Sequence, residues 1–171
     1  GSYSLFNTTS GYANTATGTN AMRNNQTGKL NTATGSTALR QNTTGINNTA
    51  SGYGALYGCT TGSYNTGMGW KSGFSLTTGD ENVFYGHNSG AGVTTGIQNT
   101  FIGKEAGLTA GLTGYGNVAI GRNSNPSSTS VNDEITLGSS TIGSLRCQVT
   151  TITSLSDERD KTDITDLDAG L

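Results

Sequence analysis

The chain has 171 residues, 31% hydrophobic and only 12% charged, with 27 Gly and a single Pro. Its formal net charge is −2, with six Lys/Arg and three carboxylates up to Ser130 and three Lys/Arg and eight carboxylates from Val131 onward; neither part has the dense basic patch of a nucleic-acid binder, so no nucleic acid is expected among its partners. Cys59 and Cys147 belong to no C-x-x-C pair, and one histidine, His87, cannot build a multi-histidine site, so no metal centre or other cofactor is expected. No apolar run approaches membrane-spanning length, so no membrane insertion is expected.

Low apolar content often accompanies disorder, but here the polar residues hold register. Asn14, Asn31, Asn48, Asn65, Asn82 and Asn99 recur every 17 residues, and Asn117 follows after one inserted residue. A fixed period over many copies marks an array of stacked units. With each Asn as position 0, position 4 is always glycine, from Gly18 to Gly121, and Thr-Thr-Gly runs such as Thr43-Thr44-Gly45 precede new units. Glycine at fixed intervals supplies repeated corners. Small residues at position 2 (Ala16, Ala33, Ala50) and position 7 (Ala21, Ala38, Ala55) mark interior slots. Position 8 changes from Met22, Leu39 and Leu56 to Gly73, Gly90 and Gly107, while position 3 gains bulk at Met68, Tyr85 and Ile102, as if a fixed core volume were refilled there. No helical period appears.

These features predict an all-β, 17-residue-period β-solenoid or β-roll over residues 1–122. One unit forms one coil, with a rise of about 4.8 Å. The asparagines form a hydrogen-bonded ladder or cap the corners. So short a coil encloses little volume, and three chains are expected to share a core as a homotrimer. Residues 123–130, with Pro126, break the period and read as a linker. Alternation in Glu134-Ile135-Thr136-Leu137-Gly138 and Leu145-Arg146-Cys147-Gln148-Val149 predicts strands of a trimeric, prism-like neck over 131–155.

The units Asn82-Val83-Phe84-Tyr85-Gly86, Asn99-Thr100-Phe101-Ile102-Gly103 and Asn117-Val118-Ala119-Ile120-Gly121 resemble the N-V-A-I-G repeats of trimeric autotransporter adhesin heads, and similar repeats occur in phage tail-fibre shafts. Ser156-Asp157-Glu158-Arg159-Asp160-Lys161-Thr162-Asp163-Ile164 resembles the S-D-x-R-x-K-x-x-I signature that opens the intramolecular chaperone autoprotease domain of phage tail spikes and fibres, including endosialidases. That resemblance implies a domain that assists trimerisation and then releases itself. Ser156 and Lys161 are the implied catalytic dyad, the scissile bond is Leu155–Ser156, and 156–171 is the opening of the domain. The dyad is chemically coherent, because a neutral lysine can take the serine proton. Without the motif, Ser156 followed by two acids would be an ordinary helix N-cap. The resemblance implies a virion tail fibre; an adhesin head would place the chain on a bacterial surface.

Among the remaining residues, Tyr53, Trp70 and Tyr85 are candidates for contact with a host-cell receptor, whether glycan or protein, against the plainer role of covering the trimer core. Asp80, Glu81 and Glu105 do not fall at equivalent positions, which disfavours a facing pair for glycoside hydrolysis. Thr15/Thr17 and Thr32/Thr34 form a short T-x-T ladder like that of ice-binding solenoids, but it fades after Thr49/Ser51.

Overall fold

A computed structural model describes residues 1–144, and over that span the chain is an all-β solenoid. Its eight three-residue strands are β1 (Thr15–Thr17), β2 (Thr32–Thr34), β3 (Thr49–Ser51), β4 (Thr66–Met68), β5 (Val83–Tyr85), β6 (Thr100–Ile102), β7 (Val118–Ile120) and β8 (Ile135–Leu137). They form one parallel sheet in strict chain order. Thr15 pairs with Thr32, Ala16 with Ala33 and Thr17 with Thr34, and the next pair repeats this step. Parallel neighbours need a long crossover, and the rest of each unit supplies it. Coils are also bonded away from the sheet: Met22 N–H donates to the Ala38 carbonyl at 2.9 Å, Thr43 N–H to Thr60 at 2.8 Å and Asn47 N–H to Lys29 at 3.1 Å.

The corners explain the glycines. Gly18 and Gly86 at position 4 have φ of 130° and 135°, and a Cβ on Gly86 would lie 2.6 Å from the Gly103 carbonyl oxygen of the next coil. Left-handed φ also recurs at positions 6, 8 and 16, where ordinary residues often carry it: Asn20 at 57°, Met22 at 46° and Leu30 at 58°. Each such residue costs about 1–2 kcal/mol relative to a right-handed conformation, and packing and coil-to-coil bonds offset that cost.

The core lies inside one chain. Met22, Ala33, Leu39, Ala50, Leu56, Phe84 and Phe101 are buried within their own coils, so closing the coil needs no partner. The expected core shared by three chains is therefore replaced by a core that each chain supplies itself. In the fifth and sixth coils volume lost at position 8 is recovered at position 2, not at position 3, and in the fourth, where Gly67 and Gly73 hold both positions, Leu56 and Phe84 of the flanking coils fill the space. The Phe84 and Phe101 rings occupy the space that a Cβ on Gly90 or Gly107 would take. Position 3 points outward, with Met68, Tyr85, Ile102 and Ile120 all exposed, because alternate strand residues face opposite sides.

The array also runs past its expected end. Residues 123–130 complete the seventh coil instead of linking two domains: Asn125 Oδ1 accepts from Thr109 N–H at 3.2 Å, and the Thr129 carbonyl accepts from Thr113 N–H at 2.8 Å. β8, assigned from sequence to the neck, pairs in register with β7 through Val118 and Ile135. Glu134 replaces the repeat asparagine there. Its N–H donates to Asn117 Oδ1 at 3.0 Å, and its carboxylate accepts from Ser127 Oγ, Ser127 N–H and Thr136 Oγ1. The Ser127 and Thr136 hydroxyls hold this carboxyl below the usual carboxylate range. The inserted residue before Asn117 is absorbed between Gly107 and Gly114, where Gly111 has φ of 81°. The rest of the expected neck, 145–155, lies outside the described residues.

Candidate functional site

The repeat asparagines are buried in the corner beside the sheet. Asn31 donates from N–H and Nδ2 to Asn14 Oδ1 at 3.0 and 3.2 Å, and Nδ2 also reaches the Gly45 carbonyl at 2.8 Å. Asn48, Asn65, Asn82 and Asn99 repeat this pattern, and Asn117 N–H closes the series on Asn99 Oδ1 at 3.0 Å. Each amide ties its coil to the preceding one and holds its own coil closed. The ladder is scaffold and offers nothing to a ligand.

A second, shorter ladder runs at position 11. Asn42 Nδ2 donates to Asn25 Oδ1 at 2.7 Å, but the next residue in the column is Cys59, and Asn42 Oδ1 is left buried without a partner. Burial, with some help from the Asp80 charge, pushes the Cys59 thiol up to about 12. A thiol so hard to ionise is no nucleophile near neutral pH.

The surface feature with the most chemistry is the corner made by positions 5, 6 and 9. At position 5, Tyr53 stacks on Trp70 with ring centroids 6.3 Å apart and planes 17° apart, and Trp70 stacks on His87 at 4.7 Å and 11°. At position 9, Tyr57 stacks on Phe74 at 4.9 Å, and Arg40 lies over Tyr57 with Nη1 donating to its hydroxyl at 2.6 Å. Lys71, at position 6, bridges the two columns with Nζ 4.5 Å from the Trp70 ring centroid and 5.0 Å from that of Phe74. Equivalent residues meet because one coil step puts them directly above one another. Tyr53 and Trp70 are 50% and 42% exposed, so the columns face solvent in the single chain.

Of the sequence candidates, Tyr53 and Trp70 are thus brought together, whereas Tyr85 stands apart on the outer sheet face between Met68 and Ile102. Tyr57 and Phe74, also expected from sequence to join an outward aromatic patch, form the second column, whereas sequence reasoning missed His87, Lys71 and Arg40. Position arithmetic was the signal for His87, which falls at position 5 like Tyr53 and Trp70. Asp80 and Glu81 sit on the opposite corner, where Asp80 Oδ1 accepts from Ser63 N–H at 2.7 Å and Glu81 Oε2 from Gln98 Nε2 at 2.9 Å; Glu105 pairs with Lys104 at 3.5 Å. Among the described residues no three His, Cys, Asp or Glu side chains converge on a metal-sized site. Leu155, Ser156 and Lys161 lie outside the described residues.

Compared with known proteins, the chain matches no family model, no curated relative and no solved structure.

Proposed function

We propose that the chain is a segment of a trimeric phage tail fibre that serves host attachment and ends at a self-cleaving chaperone junction. The observation that carries this reading is the outer face of the sheet. In the first coils that face shows Thr15, Thr17, Thr32 and Thr34; from the fourth coil it becomes a ladder of Met68, Val83, Tyr85, Ile102, Ile120, Ile135 and Leu137, all exposed in the single chain. A monomer rarely presents so continuous an apolar strip to water. Because each chain closes its own coil, partners are needed only to cover this face. Three copies turning it toward a common axis cover it and leave the corners outside, available to a host receptor.

The junction rests on the signature at Ser156 and Lys161. Lys161, as the neutral amine, takes the Ser156 hydroxyl proton; Oγ attacks the Leu155 carbonyl carbon, the peptide C–N bond breaks as Lys161 returns the proton to the leaving Ser156 amine, and water hydrolyses the resulting ester to the Leu155 carboxylate and the free Ser156 hydroxyl. A bacterial adhesin head shares the array but not this motif. The chain following residue 171 separates the two, since a chaperone domain marks the fibre and a coiled-coil stalk the adhesin.

The test is made on the full-length polypeptide. Intact-mass measurement is expected to show a product shortened at Leu155–Ser156 that is absent in Ser156→Ala, and light scattering is expected to give three copies per particle. Equal cleavage in the variant removes the dyad, and a folded monomer removes the trimer.

A further inference from the structure

We propose that the corner built from positions 5, 6 and 9 binds a linear polyanion of low charge density, namely a polysaccharide carrying a carboxylate on every second sugar. The proposal deepens the attachment reading by giving the receptor a chemical class.

Cations are concentrated on this corner. Arg23 and Arg40 are at position 9, Lys71 at position 6, Lys104 and Arg122 at position 5. Glu105, at position 6, is the carboxylate among them, and its pairing with Lys104 is the only ion pair among the described residues. The opposite corner, positions 15 and 16, holds Asp80, Glu81 and Asp133, with Lys29 the one cation. The cross-section is therefore polarised in charge, and the basic side carries the stacked aromatic columns, whereas Tyr12, Tyr64 and Tyr115 stand singly on the other corner.

Ring orientation narrows the ligand. Tyr53, Trp70 and His87 stack along the solenoid axis, as do Tyr57 and Phe74, so the ring faces are occupied by one another and the edges point to solvent. An aromatic edge is the electropositive part of the ring. A neutral sugar needs an open ring face to lie on, and single-stranded nucleic acid needs faces for its bases; this corner offers few of either. It offers edges, N–H and O–H donors and ammonium or guanidinium groups, all of which favour anions. The charges are sparse: Arg23, Arg40, Lys71, Lys104 and Arg122 fall on the first, second, fourth, sixth and seventh coils, roughly 5–10 Å apart at the usual strand spacing. Nucleic acid carries a phosphate about every 3.4 Å of strand, whereas a polysaccharide acidic at alternate sugars matches wide spacing and runs along the same axis as the columns.

The test measures binding of the assembled protein to a hyaluronate oligosaccharide, with neutral dextran and an oligothymidine of similar length as comparators. The expected result is preference for hyaluronate, weakened by salt, with Lys71→Glu and Arg122→Glu each lowering affinity on the order of tenfold and Lys29→Glu, on the opposite corner, leaving it unchanged. Circular dichroism checks that the variants fold; Arg122, outside the stacked columns, serves if Lys71→Glu does not. Equal loss in Lys29→Glu, equal or tighter binding of either comparator, absence of hyaluronate binding, or dissociation of the assembly by Lys71→Glu with binding intact would each overturn the strip. A trimer that does not bind hyaluronate removes the strip and keeps the fibre; a hyaluronate-binding monomer removes the trimer and keeps the strip.

Discussion

A single asparagine shows how a sequence this polar stabilises a fold. Asn65 donates to Asn48 Oδ1 and to the Gly79 carbonyl, and its own Oδ1 accepts from Asn82 N–H and Nδ2. Asn65→Ala leaves Gly79 and Asn82 groups buried and unpaired, and a loss of about 2–4 kcal/mol is expected, read from the urea midpoint, since each stranded buried group costs roughly 1–3 kcal/mol. Asn65→Ser, too short to reach both neighbours, should fall close to alanine. The ladder was legible because its spacing is strict. The failing second ladder was not: Cys59 looks unremarkable in sequence, and only the column shows that it deprives Asn42 Oδ1 of a donor. His87 was likewise visible at position 5 but was weighed as a lone histidine, because a stacking partner 17 residues away leaves no local trace.

At the scale of one coil, positions 2 and 8 behave as a coupled pair. The third coil uses Ala50 and Leu56; the fifth uses Phe84 and Gly90. Phe84→Ala alone opens a cavity and is expected to cost about 3–5 kcal/mol. Gly90→Leu alone forces a side chain onto the Phe84 ring and is also destabilising. The double variant recreates the third coil's pattern, and Leu56 at φ of 50° shows that a leucine is accepted in that backbone slot. Its thermal midpoint should therefore lie above that of either single variant; additive losses would refute the coupling. The exchange of volume was legible, but its partner was misplaced. Tyr85 and Ile102 look like core residues by chemistry, and only strand alternation turns them outward while Phe84 and Phe101 turn in.

Over the whole molecule, the array is modular only in steps of one coil. Removing residues 49–65 joins Asn48 to Thr66 and sets Leu39 against Gly67, just as Leu56 meets Gly67 now. A cooperatively melting, shorter solenoid is expected by circular dichroism, whereas removal of 49–58 leaves a third unit too short to close a coil, interrupts every column at that point and should lower and broaden that transition, the later coils keeping their mutual register. The period was plain from the asparagines, and for the same reason its end was misjudged: Glu134 in place of Asn, together with Pro126, hid an eighth rung that hydrogen bonding makes obvious. One mechanical consequence follows from the direction of those bonds. The coil-to-coil hydrogen bonds run along the long axis, so a pull on the ends loads the rungs in series, and a single chain yields one coil at a time at the force that opens its weakest rung. A fibre that must hold a particle against a moving cell surface gains strength from chains lying side by side and sharing that load, not from length.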